Sequence, residues 1–437
     1  MNILDKIKKN WNHKESVEKN VIRFSNEQEQ RQRRIKKWYP LFIGLFIIAC
    51  LVFPINPLVG ICLMIGAITF GSEYVFNAAT TFNLSIATID STHFVVAYSD
   101  AGNSGYGTAI IGTITNGNEI SYGSEYVFNS GDVYKICVSL VDSTHFVVAY
   151  CDAGNSGYGT AIIGTITNGN EISYGSEYVF STAYTGGISV SIVDSTHFVI
   201  ACSDNTNDNQ RAIIGTIANG DEISYGSEYV FNSKRSINLS VATIDSTHFV
   251  VAYSDAGNSG YGTAIIGTIT NGNEISYGSE YVFNSAYAAG INILTIDSTH
   301  FIVVYQEASS NYGTAIIGTI TNGDEISYGS EYVFNSASTG NIIVSKINNT
   351  KIIISFREAA SPYYGKVIIG DISNGNEISF GDEYTFNENV SYDVYNSMID
   401  STHFVVAYRD GGNSNYGTAI IGTIEAPSAF IPRTMWF

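Results

Sequence analysis

One segment of about 52 residues occurs seven times in this chain, and this repetition constrains the fold more than any other feature. The spacing between copies is always 51 or 52 residues. A strict period of this length is typical of repeat proteins, in which a unit buries its apolar faces only by packing against its neighbours. The phrase Gly-Ser-Glu-Tyr-Val-Phe begins at Gly71, Gly123, Gly175, Gly226, Gly278 and Gly329, and an altered phrase, Gly-Asp-Glu-Tyr-Thr-Phe, begins at Gly381.

Each repeat predicts four β-strands separated by turn signals. In the first repeat, the short side chains of Asp90 and Ser91 favour a tight turn. Asn116-Gly117 favours a hairpin, because both central residues of that turn need positive φ. The predicted strands are Asn83–Ile89, His93–Ser99, Gly107–Thr115 and Glu119–Phe128, with a bulge at Gly123.

Both faces of these strands are apolar. Strand two places Phe94 and Val96 on one face and Val95 on the other. A sheet of this kind must be covered on both sides, and four-stranded sheets packed around an axis meet that requirement. Residues 68–425 are therefore predicted to be all-β, forming a seven-bladed β-propeller of four-stranded blades.

The two ends of the repeat region are complementary. The seventh repeat stops after its third strand, Gly417–Ile424, whereas residues 68–76 form a fourth strand with no repeat of its own. Pairing these two segments would remove a free edge and close the ring. Residues 426–437 would then be a C-terminal tail.

The N-terminal region predicts a membrane anchor. No charged residue occurs from Leu41 to Phe70, which is longer than one bilayer crossing requires. We predict one transmembrane helix at residues 39–67, in contact with membrane lipid, after a basic, helical cytoplasmic arm at residues 1–38. The basic residues before the apolar run predict a cytoplasmic N-terminus and an extracytoplasmic propeller. A cleaved signal peptide is the alternative.

The charge distribution excludes one class of partner. Residues 1–37 carry eleven basic and five acidic residues, whereas the rest of the chain carries ten basic and 35 acidic residues. An acidic repeat region does not displace counterions from phosphates, so no nucleic acid partner is expected.

Two resemblances follow from the repeated strings. Residues 94–107 and 112–123 resemble propeller-like repeats of uncharacterised bacterial surface proteins and marine phage and metagenomic sequences. That likeness implies surface display but no activity. Residues 100–104 also resemble the middle of the Asp-box of sialidase-type propellers, although Tyr98 replaces the first Ser and the closing Trp is missing.

Sialidase activity would require three arginines converging on a carboxylate. The arginines of the repeats and tail are predicted to stand at non-equivalent repeat positions, and no residue is predicted to be catalytic. Those arginines are Arg211, Arg235, Arg357, Arg409 and Arg433.

Six repeats carry Asp-Ser-Thr-His at the first turn, whereas repeat six has Asn348-Asn349-Thr350-Lys351. Histidines spread around a ring cannot share one metal, whose ligands lie about 2 Å away, so a hydrogen-bonded turn is predicted. No cofactor is predicted, apart from calcium at the Asp-Ala-Gly-Asn-Ser-Gly loops. These loops fit either a calcium site or an ordinary hairpin without a metal. The weak calcium candidates are Asp100, Asp152, Asp255 and Asp410.

The links from strand four to the next strand one differ in every repeat, while the strands are nearly copied. In a propeller, these links share one rim with the Asp-Ala-Gly-Asn-Ser-Gly loops. Ligand binding or unconstrained drift explains the variation. We predict a binding or adhesion module for glycans or a surface protein, with a glycan-active hydrolase or lyase, or a structural surface repeat, as alternatives. The candidate rim residues are Tyr106, Tyr134, Tyr158, Tyr184, Tyr261, Tyr287, Tyr312, Lys234 and Arg235.

Overall fold

The computed structural model describes residues 67–234, 236, 238–359 and 363–425. The predicted cytoplasmic arm, the predicted transmembrane helix apart from Ala67, and the predicted tail lie outside these residues. Within the described part of the chain, no helix has the length and apolar character needed to cross a bilayer.

The described residues form 29 strands and three single-turn 3-10 helices. Each repeat contributes four strand positions, as the sequence predicts. The strands are β1 Ile68–Thr88, β2 His93–Asp100, β3 Tyr106–Thr115, β4 Glu119–Tyr122, β5 Tyr126–Leu140, β6 His145–Asp152, β7 Tyr158–Thr167, β8 Glu171–Tyr174, β9 Tyr178–Ile192, β10 His197–Asp204, β11 Asn209–Ala218, β12 Glu222–Tyr225, β13 Tyr229–Asn232, β14 Leu239–Thr243, β15 His248–Asp255, β16 Tyr261–Thr270, β17 Glu274–Tyr277, β18 Tyr281–Thr295, β19 His300–Glu307, β20 Tyr312–Thr321, β21 Glu325–Tyr328, β22 Tyr332–Asn335, β23 Thr339–Asn348, β24 Lys351–Glu358, β25 Gly365–Ser373, β26 Glu377–Asn387, β27 Ser391–Met398, β28 His403–Asp410 and β29 Tyr416–Ile424. The 3-10 helices are Ala101–Asn103, Ala153–Asn155 and Ala256–Asn258.

Pairing within a repeat is antiparallel throughout. In repeat one, the second half of β1 pairs with β2, β2 pairs with β3, and β3 pairs with β4 and the start of β5. Gly112 pairs with Tyr122 and Ala109 with Tyr126, so strand four holds one residue more than strand three over this stretch. This extra residue is the predicted bulge, and the Gly123 N–H donates to Ile111 O at 3.0 Å.

The links differ from the prediction, because several are strands rather than loops. β5 continues without interruption from strand four of repeat one into strand one of repeat two. The link within β5 pairs with strands of both repeats, since Asp132 lies opposite Tyr106 of β3 and Tyr134 lies opposite Cys151 of β6. A register shift follows at Lys135, which has a φ of 54°. The predicted start of strand one was therefore too late, since backbone pairing extends through the link.

The two ends of the repeat region pair with each other. The first half of β1 runs antiparallel to β29, from Ile68 opposite Ile424 to Asn77 opposite Gly417. The first strand of each repeat also contacts the first strand of the next, and β27 of repeat seven contacts β1. Four-stranded antiparallel sheets arranged in this way form a β-propeller.

Side chains cap the free edges of the first strands. The Val138 N–H donates to Ser85 Oγ at 3.2 Å, and the Val344 N–H donates to Asn292 Oδ1 at 2.9 Å. Each hydrogen bond joins neighbouring repeats, so backbone groups that face the axis are paired with side chains of the adjacent repeat. First strands of repeats two to seven line an axial cavity of about 260 Å³.

The Asp-Ser-Thr-His turns form the predicted hydrogen-bond network. In repeat seven, Asp400 Oδ1 accepts from the Thr402 N–H at 2.6 Å and the Thr402 hydroxyl at 2.8 Å, and His403 Nδ1 lies 2.9 Å from Asp400 Oδ2. Partial burial raises the pKa of Asp400, but hydrogen bonds from Thr402 and His403 outweigh burial and lower it to about 2. The pKa is lowered at the other five turns as well.

Replacing the six turn aspartates with asparagine should make stability less sensitive to acid. A carboxyl whose pKa is lowered in the folded state stabilises the fold at pH values above its ordinary pKa of 3.8. This contribution is lost as the pH falls toward about 2. The melting temperature of the variant, followed by circular dichroism, should therefore fall less than that of the wild type between about pH 4 and about pH 2. The residues are Asp90, Asp142, Asp194, Asp245, Asp297 and Asp400.

Repeat six provides the control for this experiment. Asn348 Oδ1 already accepts from the Thr350 N–H at 2.8 Å and the Thr350 hydroxyl at 2.9 Å, so an amide preserves the turn. Asn348→Asp should have the opposite effect and steepen the acid dependence. Equal acid dependence in the wild type and both variants would contradict the assignment.

Candidate ligand-binding rim

The connections between strands fall at two opposite ends of the ring. The Asp-Ser-Thr-His and Asn-Gly turns occupy one end, and the links and the loops between strands two and three occupy the other. Link and loop are in contact, as the Asn205 N–H donates to Tyr184 O at 2.9 Å and the Gly411 N–H donates to Val390 O at 2.7 Å. We call the second end the rim. It comprises the described residues of the links 77–83, 129–135, 181–187, 232–238, 284–290, 335–341 and 387–393, and of the loops 100–106, 152–158, 204–209, 255–261, 307–312, 358–365 and 410–416.

The structure places all seven candidate tyrosines on the rim, with unequal exposure. Tyr134, Tyr184, Tyr287 and Tyr312 are exposed. The other three, Tyr106, Tyr158 and Tyr261, are half-buried at the start of strand three. Tyr158 opposes Tyr184, and Tyr261 opposes Tyr287, so two of the half-buried rings lie beside exposed ones.

A recess of about 800 Å³ opens between repeats three and four. Asn232 and Lys234 line it from one repeat, and Asp255 and Glu280 line it from the other. Candidate Lys234 therefore lines the same recess as two acidic side chains, whereas candidate Arg235 lies outside the described residues.

The calcium candidates use their carboxylates within the loops. Asp100 Oδ1 accepts from the Gly102 N–H at 2.9 Å and from Asn77 Nδ2 of the preceding repeat at 2.9 Å. Asp152, Asp255 and Asp410 each accept a backbone N–H of their own loop. Among the described residues, no group of three or more His, Cys, Asp and Glu is placed to hold a metal ion. Calcium binding stays a prediction.

A polar cluster beneath the rim fixes adjacent strands. The Tyr98 hydroxyl donates to Glu125 Oε1 at 2.6 Å. Burial, followed by the hydrogen bond to Glu125, raises the pKa of Tyr98, so the phenol remains a donor. Equivalent bonds of 2.5 to 2.6 Å join Tyr150 to Glu177, Tyr253 to Glu280, Tyr305 to Glu331 and Tyr408 to Glu73.

Repeats three and six replace this tyrosine and compensate for the loss. Cys202 stands at the tyrosine position of repeat three, and Arg211 stands directly opposite it. Its guanidinium pairs with Asp204 and Glu228. In repeat six, Phe356 stands opposite Lys366, whose ammonium pairs with Glu358 and Glu383. In the two repeats that lack the tyrosine, a basic side chain therefore pairs with the glutamate that the tyrosine hydroxyl binds in the other repeats.

Sequence reasoning missed a cluster in which arginines near the ends of β24 and β28 lie against aromatic side chains of the rim. Arg357 and Arg409 occupy the same register position in repeats six and seven, immediately after Phe356 and Tyr408. The prediction of non-equivalent positions is therefore wrong for this pair. Aligning the second strands would have found it, because serine occupies this position in repeats one, three and four.

The guanidinium groups lie against rings of the links. Arg409 Cζ lies 4.2 Å from the ring centroid of Tyr392 and 4.9 Å from that of Phe82. Arg357 Cζ lies 5.5 Å from the Tyr392 centroid. Such distances are those of cation–π contacts.

No family model matches the chain, and no curated protein sequence matches it. Solved structures match instead. The BP39L lectin from Burkholderia pseudomallei superposes with a TM-score of 0.57 at 10% identity, over 80% of this chain and 97% of that one. A protein of unknown function from Dyadobacter fermentans gives a TM-score of 0.51 at 8% identity, over 82% and 99%. At such identities the likeness shows an all-β propeller fold.

Replacing Arg211 with threonine, the residue of most other repeats, should destabilise the protein by about 3 kcal/mol, because removing one partner of a buried ion pair leaves the other uncompensated. The Asp204 side chain is fully buried. The midpoint of urea unfolding measures this loss.

The triple variant Ser181→Asn, Cys202→Tyr and Arg211→Thr restores the residues of the other repeats, in which the asparagine at the Ser181 position also binds the glutamate, as Asn129 Nδ2 donates to Glu177 Oε1 at 2.7 Å. This variant should recover most of the stability. A wild-type midpoint for the single variant, or no recovery in the triple variant, would refute the compensation.

Proposed function

We propose that this chain is a membrane-anchored, seven-bladed β-propeller that binds glycans on its rim. One observation carries this proposal: every exposed aromatic side chain of the described residues lies on the rim. These side chains are Phe82, Tyr134, Tyr184, Tyr287, Tyr312 and Tyr363.

Exposed aromatic rings on one face suit carbohydrate ligands. An aromatic ring stacks on the apolar face of a sugar, and nearby amides and carboxylates orient its hydroxyls. The recess between repeats three and four supplies such groups in Asn232, Asp255 and Glu280. The similarity in fold to a lectin agrees with this use.

Two further observations support seven blades. The strand pairings follow the seven sequence repeats, and β1 joins the last repeat to the first. The apolar core also divides into clusters that each draw on two adjacent repeats, including one shared by repeats seven and one.

The sequence supports display outside the cytoplasm through residues 39–67. A surface protein is the other ligand class that the sequence predicts, and the same rim would serve it. In both cases, anchoring would place the rim where extracellular ligands are found.

Charged residues in the predicted span should abolish membrane retention. The full chain should remain with membranes after an alkaline carbonate wash, whereas Ile48→Lys with Leu51→Lys should be washed off, because each lysine costs about 2.5–3.5 kcal/mol at a helix centre. Valine at both positions is the matched control. Release of the wild-type chain would refute anchoring.

Removing two exposed tyrosines should abolish glycan retention. Tyr184→Ala with Tyr287→Ala deletes rings that are 50% and 44% exposed, so the melting temperature should change little while retention on a glycan array falls at least tenfold.

Val179→Ala with Val282→Ala is the matched control, since these side chains are 40% and 44% exposed on outer strands of the same repeats. Equal retention of both double variants would count against a rim site, and absence of retention for the wild type would refute glycan binding.

A further inference from the structure

The arginine pair of repeats six and seven forms an unusual site in an acidic domain. The guanidinium carbons of Arg357 and Arg409 both lie within 5.5 Å of the Tyr392 ring centroid. The chain outside residues 1–37 carries 35 acidic and only ten basic residues. Two neighbouring cations are therefore exceptional here, and like charges this close repel each other.

Local sequence explains how the two arginines come together. Arg409 stands opposite Tyr392 and extends toward Phe82 of repeat one. Arg357 stands opposite Gly340, where an added Cβ would lie 3.2 Å from its Nη2 atom. Because glycine leaves this space open, Arg357 reaches across to Tyr392 of the next repeat.

The cations of this sector exceed its carboxylates. Asp393 Oδ2 lies 3.3 Å from Arg409 Nε and is the carboxylate paired with it. Within the described residues, Arg357 makes no hydrogen bond or ion pair, and its Nε atom is buried without a partner. Burial raises the pKa of Asp393, and the positive charges of Arg409, Arg357 and Lys135 offset part of this rise. Three cations thus surround one carboxylate.

This arrangement contrasts with the other interior cations of the domain. Arg211, Lys351 and Lys366 each pair with acidic side chains of their own repeat. Arg357 has no such partner among the described residues, so its charge is available to a ligand. An oxyanion is the group that a guanidinium binds best, through paired N–H donors.

Aromatic rings surround the charged groups. Phe82 is 38% exposed and its centroid lies 4.9 Å from Arg409 Cζ, whereas Tyr363 is 39% exposed and its centroid lies 5.5 Å from Arg357 Cζ. A ligand at this sector therefore meets guanidinium groups beside exposed ring faces. A carboxylate attached to a sugar ring matches both features, whereas a simple anion uses only the first.

We propose that this sector, formed by Arg357, Arg409, Tyr392, Phe82 and Tyr363, binds sugars that carry a carboxylate. The inference rests on the glycan-binding function proposed above and names its ligand class. The carboxylate accepts hydrogen bonds from the arginines, and the sugar ring packs on the exposed aromatic faces.

The test compares methyl glucuronide with its methyl ester, which has the same ring without the charge. The full chain in detergent micelles should bind the glucuronide at least about tenfold more tightly, measured by saturation-transfer NMR titration. Arg357→Gln should remove this preference and change the melting temperature little, because Arg357 has ring contacts but no ion pair to lose among the described residues. Lys346→Gln removes the same charge from β23, outside the rim, and should keep the preference.

Each other outcome decides against the inference. Equal binding of acid and ester, or a preference that survives Arg357→Gln, overturns it. Competition by acetate as strong as by glucuronide shows an anion site without sugar recognition and also overturns it. If neutral glycans still bind and depend on Tyr184 and Tyr287, the proposed function stands without this sector. If no glycan binds at all, both fall.

Discussion

The fold depends on apolar sheet faces that neighbouring repeats must cover. Val95 of repeat one and Val148 of repeat two belong to the same buried cluster, as do Val96 of repeat one and Val405 of repeat seven. A repeat on its own would leave both faces in water, at about 25 cal/mol for each Å² of apolar surface. Stability is therefore a property of the ring, and β1, which serves both repeat seven and repeat one, is the element that joins its ends.

Where an interior residue of one repeat differs from the other repeats, a second residue differs as well and compensates for the first. Lys351 replaces the histidine of repeat six, and Asp371 replaces the threonine opposite it and pairs with it. The missing histidine also has a structural explanation. In the other repeats, the histidine lies against the Asn-Gly turn of the next repeat, as His300 does at Gly375. Repeat seven has no such turn, because its third and fourth strands come from β29 and β1.

Much of this architecture could be predicted from the sequence because it follows local rules. The Asn-Gly hairpin, the bulge near Gly123 and the strand alternation need no information beyond one repeat. The extension of β5 through its link could not be predicted, since it depends on pairing with strands of two repeats at once. The meeting of Arg357 with Tyr392 was also hidden, because the two residues belong to different repeats and an open glycine position allows their contact.

Near-identity between repeats makes each departure informative. Where a changed residue brings its own partner, as Arg211 does with Asp204, the change preserves the fold. Arg357 and Arg409 replace the serine of other repeats without restoring any contact of those repeats, and they lie next to the rim, where backbone pairing already satisfies the fold. Desolvating an arginine and placing it near another cation costs free energy, and Arg357 has ring contacts with Tyr363 and Tyr392 but no carboxylate partner among the described residues to offset that cost. An oxyanion from outside the chain would supply the partner that Arg357 lacks among the described residues, which is why the proposed ligand is placed at this sector of the ring.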